Sequence, residues 1–166
     1  MIVPDALLDE ARALLEEYRS RGLKLAVAES CTGGLISACL TEIPGASHVL
    51  DRGFVTYSDA SKTELLGVSE DLFRLHGAVS EAAARSMVEG ALARTSADVA
   101  VGVTGIAGPG GATAEKPVGL VHFAVSRRGA AIRTERRNFQ GDRTAVRLAS
   151  VAFALELLRD AARSDS

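Results

Sequence analysis

The chain has 166 residues, a net charge of −2 at neutral pH, 47% hydrophobic residues and 24% charged residues. This length suffices for one domain with a buried core, and the near-zero charge gives no reason to expect nucleic-acid binding. Aromatic residues make up only 4% of the chain and tryptophan is absent, so the core must be aliphatic. We expect residues 1–166 to form a single domain.

Apolar periodicity predicts helices that alternate with strands. It predicts a helix over 4–21, a strand over 23–28, a helix over 33–42, a strand over 48–57, and helices over 58–66, 69–76 and 80–95. It then predicts a strand over 99–103, a loop over 105–117, strands over 118–126 and 131–139, and a helix over 142–161. Such alternation indicates an α/β sandwich with a mostly parallel sheet of about five or six strands. A predicted hairpin turn at residues 127–130 makes the sheet mixed and its last strand an edge.

Cysteine usage and hydropathy point to a cytoplasmic protein. Cys31 falls in a predicted loop and Cys39 in a predicted helix, so we expect no disulfide. No histidine and cysteine pair has zinc-ligand spacing, and we expect no metal. The first residues are acidic without the apolar run of a signal peptide, and no later run is long enough to span a membrane.

Hydroxyl-bearing residues follow three of the predicted strands. Ser30, Tyr57 and Thr104 each stand where an apolar run ends. In an open α/β sheet, ligands bind beyond the carboxyl ends of the parallel strands. We therefore expect these three hydroxyl groups to converge on one edge of the sheet.

The first of these strands leads directly into a predicted helix. The free amides of Thr32, Gly33 and Gly34 would point near Ser30, together with the positive end of the helix dipole. Such amides stabilise an oxyanion or bind a phosphate. An equally open interpretation is that Ser30 or Thr32 is simply the N-cap of the helix.

A serine nucleophile requires a base, and no histidine is suitably placed. His48, His76 and His122 show no spacing that pairs them with Ser30, which argues against a Ser-His-Asp triad. Lys62 follows Tyr57 by five residues, and a desolvated lysine at a strand end can act as a base. The alternative is an exposed helix lysine.

Two further features border these strand ends. Glu29 can serve as an acid or base, as an anchor for Lys62, or as a structural hydrogen-bond acceptor. The glycine-rich loop at residues 104–111 is typical of an anion-binding loop, but lacks the endings of a P-loop and of a dinucleotide fingerprint. Its length favours a functional role over a plain connector.

The stretch Ala-Glu-Ser-Cys-Thr-Gly-Gly at residues 28–34 resembles the signature of the CinA carboxy-terminal domain family, which includes nicotinamide-nucleotide amidohydrolases. The resemblance continues through residues 44–47, 55–58 with Lys62, 66–68, 76–80, 103–111, 116–119, 141–143 and 146–147. It covers essentially the whole chain. It implies a three-layer fold similar to anticodon-binding domains, and a homo-oligomer.

The same resemblance implies an activity. That activity is hydrolysis of the carboxamide of nicotinamide mononucleotide to nicotinate mononucleotide and ammonia, in pyridine-nucleotide recycling and without a cofactor. Ser30, Tyr57 and Lys62 would be catalytic, with Ser30 as the nucleophile. The residues implied to bind substrate are Glu29, Cys31, Thr32, Gly33, Gly34, Ser47, Thr104, Gly105, Ala107 and Gly108, with Arg143 or Arg147 for the phosphate.

Two other functions stay open. One is a thiol amidase that uses Cys31, because a thiolate is the better nucleophile. The other is a non-catalytic nucleotide-binding module, since some family members are known only as competence- or damage-induced proteins. Such a module would keep the glycine loops without needing Tyr57 and Lys62 together.

Overall fold

Five strands form one mixed sheet in the computed structural model, which describes residues 3–164. The strands are β1 (Leu25–Glu29), β2 (Leu50–Val55), β3 (Val99–Gly105), β4 (Leu120–Arg127) and β5 (Arg133–Asn138). Their order in the sheet is β2-β1-β3-β4-β5. β1 pairs in parallel with β2 and β3, whereas β4 is antiparallel to both β3 and β5. The predicted mixed α/β architecture, with the last strand at an edge, is confirmed.

Within residues 3–164, six helices cover the two faces of this sheet. They are α1 (Asp5–Ser20), α2 (Leu35–Thr41), α3 (Asp59–Leu66), α4 (Glu70–His76), α5 (Glu81–Ala93) and α6 (Arg143–Arg163). Every predicted helix and strand is present, with its ends within two residues of the prediction. One element was not predicted: a short 3-10 turn at Ala46–His48, directly before β2.

The two faces of the sheet carry side chains of different size. On the face covered by α1, α2 and α6, the strands contribute large residues such as Val27, Val101 and Phe123. On the face covered by α3, α4 and α5, they contribute mainly alanine, at Ala26, Ala28, Ala100 and Ala124, together with the larger Phe54 of β2. Successive residues of a strand point to opposite faces, so a single alternating sequence builds both cores.

Small residues allow the helices of the second face to approach closely. A Cβ atom added at Gly102 of β3 would lie 2.9 Å from the carbonyl oxygen of Ala84 in α5. A Cβ atom added at Gly90 of α5 would overlap the carbonyl oxygen of Leu66 in α3. α5 thus lies close against the sheet, and α3 lies close against α5. This packing brings the first turn of α3 to the carboxyl ends of the strands.

Local sequence fixes where α3 begins and ends. Ser58 is the N-cap, and Ser58 and Ser61 form a reciprocal capping box, each accepting a hydrogen bond from the other's backbone amide at 3.1 Å. Gly67 ends the helix with a φ of +68°, a conformation that favours glycine. Lys62 therefore lies on the first turn of a well-capped helix.

Candidate active site

Strand alternation continues through the last residues of β1 and into the following turn. Ala28 faces α5, Glu29 faces α2, and Ser30 faces α3. The Ser30 amide donates to the carbonyl of Val103 at 2.9 Å, which extends the pairing of β1 with β3. The serine and the glutamate, adjacent in sequence, are therefore directed into different layers of the fold.

The Ser30 hydroxyl lies against the amine of Lys62. Lys62 Nζ is 3.0 Å from Ser30 Oγ and donates to the carbonyl of Thr56 at 2.9 Å. Lys62 is 1% exposed and Ser30 is 8% exposed. Burial lowers the pKa of Lys62, while the negative charge of Asp59 and the neighbouring Cys31 oppose that shift. A buried amine with a lowered pKa, within hydrogen-bond reach of a hydroxyl, can serve as its general base.

The Glu29 carboxylate caps α2 and does not reach Lys62. It accepts hydrogen bonds from the amides of Gly34 (3.1 Å), Ile36 (3.0 Å) and Ser37 (2.9 Å), and from the Ser37 hydroxyl (2.8 Å). Of the roles weighed for Glu29, the structural acceptor is the one observed. The carboxylate is fully buried against α2 and does not anchor Lys62, and a contact of Glu29 with substrate stays a prediction.

These bonds change which amides are available beside Ser30. The Gly33 amide donates to the Ser30 carbonyl at 3.0 Å, and the Gly34 amide donates to Glu29. The two glycine amides expected to face a ligand are thus already engaged. Within residues 3–164, the amides of Cys31 and Thr32 have no hydrogen-bond acceptor. The donors free at this turn are therefore those of Cys31 and Thr32.

Tyr57 lies at the rim of the site. It is 60% exposed, and its hydroxyl accepts a hydrogen bond of 2.8 Å from Arg143. Arg143, in the first turn of α6, also donates to the carbonyl of Gly108 at 2.8 Å. The structure thus joins Tyr57 to Arg143 and the glycine loop, and joins Lys62 to Ser30. A direct relay between Tyr57 and Lys62 is not part of this arrangement.

Arg147 borders the same turn from the α6 side. It donates to the carbonyl of Thr32 at 2.9 Å, and its guanidinium group lies over Gly33. The Nε atom of Arg147 and the hydroxyl of Thr32 are both buried without a hydrogen-bond partner among residues 3–164. Buried polar groups are normally paired, so these two atoms are exceptions in the packing between α6 and this turn.

The remaining predicted residues are divided between the site and other parts of the fold. Thr104 donates from its hydroxyl to the carbonyl of Ala78 at 2.7 Å, and Gly105 is the last residue of β3. Ala107 is buried in the aliphatic core. Ser47 is exposed in the 3-10 turn before β2. Because β1 and β2 are parallel, Ser47 lies at the opposite end of the sheet from Ser30 within one chain.

Two groups that act on Lys62 were not predicted from the sequence. The backbone carbonyl of Thr56 accepts a hydrogen bond from Lys62. Every residue has such a carbonyl, so the residue type at position 56 could not predict this contact. Asp59 acts on the pKa of Lys62 through its charge. Its position three residues before Lys62 on a predicted helix was the available signal, because residues so spaced share a helix face.

The cysteine next to Ser30 is poorly suited to react. Cys31 is buried, and desolvation raises the pKa of its thiol to about 12, with a further contribution from the charge of Glu29. The thiolate is the reactive form of cysteine, so this environment suppresses Cys31. In the part of the chain that the structure describes, no cluster of three or more His, Cys, Asp or Glu is arranged to hold a metal. No helix within residues 3–164 has the length and apolarity to cross a membrane.

Comparison with known proteins decides the family. The family model of the CinA C-terminal domain matches residues 8–162. The chain belongs to this family. A solved structure of the competence/damage inducible protein CihA from Agrobacterium tumefaciens has a TM-score of 0.91 and 48% identity, covering 94% of this chain and 95% of that one. A CinA superfamily protein from Klebsiella pneumoniae has a TM-score of 0.90 and 36% identity, covering 94% and 97%.

Relatives of the CinA C-terminal domain carry different names. A protein of Enterobacter agglomerans named nicotinamide-nucleotide amidohydrolase PncC is 51% identical over 138 residues, which are 83% of this chain and 84% of that protein. A CinA-like protein of Akkermansia muciniphila is 50% identical over 154 residues, which are 93% of this chain but 37% of that protein. The chain thus spans little more than a third of some curated relatives and most of the length of another.

Proposed function

We propose that this CinA C-terminal domain hydrolyses the carboxamide of nicotinamide mononucleotide, giving nicotinate mononucleotide and ammonia in the recycling of pyridine nucleotides. The 3.0 Å contact between Lys62 Nζ and Ser30 Oγ is the observation that carries the proposal. The relative of similar length that is named for this reaction supports the choice of substrate.

The first half of the reaction is acyl transfer to Ser30. Neutral Lys62 accepts the hydroxyl proton of Ser30 as the serine oxygen bonds to the carboxamide carbon. The carbonyl oxygen becomes an oxyanion, for which the free amides of Cys31 and Thr32 are the proposed donors. The C–N bond then breaks, the nitrogen takes the proton from Lys62, and ammonia leaves.

The second half is hydrolysis of the ester on Ser30. A water molecule gives one proton to Lys62 while its oxygen attacks the ester carbon. When this second tetrahedral intermediate collapses, Lys62 returns the proton to the Ser30 oxygen. The products are the acid form of nicotinate mononucleotide, whose carboxyl proton then passes to the released ammonia, and the original pair of neutral amine and hydroxyl, so protons and atoms balance.

Arginines at the start of α6 are the proposed phosphate ligands. A guanidinium group binds phosphate through paired hydrogen bonds. Arg147 contacts the turn that carries Ser30, and Arg143 connects Tyr57 to Gly108 at the rim. Roles for the glycine loop, Thr104 and Ser47 in shaping the substrate pocket stay predictions.

Product formation by single-residue variants tests the proposal. Wild-type protein is expected to release ammonia and nicotinate mononucleotide, and Ser30→Ala is expected to lose about 10³-fold or more of that activity. Cys31→Ala is expected to keep activity of the same order, since its backbone amide remains. Activity that survives Ser30→Ala but not Cys31→Ala would identify a thiol amidase. Binding of nicotinamide mononucleotide without turnover by the wild type would identify a binding module.

A further inference from the structure

The carboxylate of Glu29 is unusual for its number of partners. It is fully buried and accepts four hydrogen bonds, three from amides at the start of α2 and one from the Ser37 hydroxyl. An ordinary N-cap side chain accepts one such amide bond. Glu29 comes from the preceding strand instead, one residue before the proposed nucleophile. A carboxylate in this position connects β1 rigidly to α2.

The backbone on both sides of Ser30 is also held. The Glu29 carbonyl accepts from the Thr56 amide at 2.8 Å, which ties the end of β1 to the strand that leads to Lys62. The Ser30 amide donates to Val103, and the Ser30 carbonyl accepts from Gly33. With backbone and preceding side chain both fixed, Ser30 can direct its hydroxyl only into the α3 layer.

We propose that Glu29 is a positioning residue: by holding the first turn of α2 against the end of β1, it fixes the Ser30 hydroxyl beside Lys62. This inference rests on the proposed function, in which Ser30 is the nucleophile. The same four bonds determine which amides remain for an oxyanion. The Glu29 carboxylate accepts hydrogen bonds from the amides of Gly34, Ile36 and Ser37. In the turn that it holds, the amides of Cys31 and Thr32 stay free.

The arrangement requires a carboxylate rather than another side chain. An ionised carboxylate has two acceptor oxygens and no hydrogen, which suits four converging donors. The glutamine side chain has the same shape, but its NH₂ group would face donor hydrogens. In Glu29→Gln the amide must therefore turn away or the helix must shift. A shift of about 1 Å at a nucleophile costs on the order of 10²-fold in rate.

Two readouts test the role. The first is kcat and KM for nicotinamide mononucleotide, and the second is the rate at which a fluorophosphonate labels Ser30, which requires no substrate recognition. Glu29→Gln is expected to lower both kcat and the labelling rate by about 10²-fold, with KM within about threefold. A structural role alone would not lower Ser30 reactivity while leaving KM in place.

Tyr18→Phe is the matched stability control. It removes a buried hydrogen bond of 2.6 Å to the Leu158 carbonyl, on the α1–α6 side of the fold. Loss of such a buried hydrogen bond lowers the stability of the fold. We expect its kcat and labelling rate to stay within about twofold of the wild type at a temperature where both proteins are folded.

The outcomes separate the inference from the proposed function. Labelling of wild-type Ser30 without hydrolysis of the nucleotide would reject the substrate, and the Glu29→Gln labelling rate would still test the positioning role. No labelling and no hydrolysis would reject both. Glu29→Gln within threefold of the wild type in both readouts, or a loss equal to that of Tyr18→Phe, overturns the inference.

A milder variant applies if Glu29→Gln does not fold. Ser37→Ala removes one of the four hydrogen bonds and keeps the Ser37 amide. We expect it to lower the labelling rate several-fold. An unchanged rate in this variant would contradict the positioning role.

Discussion

The two faces of the central sheet differ in the size of the side chains that the strands contribute. One face packs large side chains such as Val101 and Phe123 against α1, α2 and α6, and it holds the larger aliphatic cluster. The other presents the small residues Ala28, Ala100 and Gly102 to α5, on which α3 packs, and it carries the contact of Lys62 with Ser30. Small strand residues let a helix come close enough for a lysine to reach a strand end. The face with the smaller strand residues is therefore the one on which helices lie closest to the sheet.

The adjacent residues Glu29 and Ser30 lie on different faces of the sheet. The Glu29 carboxylate holds the first turn of α2 on the face with the larger core. The Ser30 hydroxyl contacts Lys62 on the face with the smaller core. Away from the turn that Glu29 holds, damage to the two faces should be separable: a packing defect on the large-residue face should cost stability, and a packing defect on the small-residue face should cost activity as well.

Removing the amine should have the largest effect. Lys62→Met deletes the proposed base, and Lys62→Arg replaces it with a group that stays protonated, so both should lower kcat/KM for nicotinamide mononucleotide by about 10³-fold or more. Ammonia release measures the loss. Lys24→Met, at an exposed position before β1, is the control and should stay near the wild type. Retention of a tenth of the activity in either Lys62 variant would refute the general-base role.

Forcing α3 away from α5 should have the next largest effect. The new methyl group of Gly90→Ala would meet the Leu66 carbonyl, so α3 must move and carry Lys62 with it. We expect a loss of about 1–3 kcal/mol in unfolding free energy and about 10- to 100-fold in kcat. Denaturant unfolding and product formation measure the two quantities.

Val101→Ala is the control on the large-residue face. Its cavity should cost about 2 kcal/mol of stability while kcat stays within about threefold. Equal losses of kcat in Gly90→Ala and Val101→Ala, at matched stability, would break the distinction between the faces.

Tyr57→Phe should have a moderate effect on binding. It removes the hydroxyl that accepts from Arg143, so Arg143 should hold the substrate phosphate less well. We expect KM to rise about tenfold with kcat within about threefold, since one such hydrogen bond contributes about 1 kcal/mol. Steady-state kinetics separate this from a proton relay, for which kcat would fall by about 10²-fold or more.

Asp59→Asn should have the smallest effect, a shift in pH dependence. The Asp59 charge raises the pKa of Lys62, so its removal lets that pKa fall. The neutral fraction of Lys62 then increases at a given pH, and the acid limb of the kcat/KM profile should move to lower pH. Salt should shrink the difference, because Asp59 is exposed. Glu64→Gln, an exposed change on the same helix, should leave the profile in place; a shift to higher pH in Asp59→Asn would contradict the electrostatic account.

Helices and strands could be predicted from the sequence, because they follow from the spacing of apolar residues. The partners of individual side chains and amides could not, because they depend on the direction in which each group points. Helices and strands followed from spacing, and Ser30 with Lys62 followed from the strand ends together with the family resemblance. The partner of Tyr57 is Arg143, which lies 86 residues away, so only tertiary packing brings the two together. The engagement of the Gly33 and Gly34 amides depends on how the turn closes and on the direction of the Glu29 side chain. The position of Ser47 was also not predictable, because the family motif that contains it does not indicate at which end of β2 the residue lies.

The buried amine of Lys62 also ties folding to the uptake and release of protons. Its pKa lies below the ordinary 10.5 in the folded chain, so the unfolded chain holds more protons in the pH range between the two values. This side chain therefore opposes folding most strongly below its folded pKa, and that penalty disappears as pH rises towards 10.5. Within that range, folding expels a proton and delivers the lysine in its basic form. The rest of the fold therefore holds Lys62 in the neutral form that a general base requires, before any substrate binds.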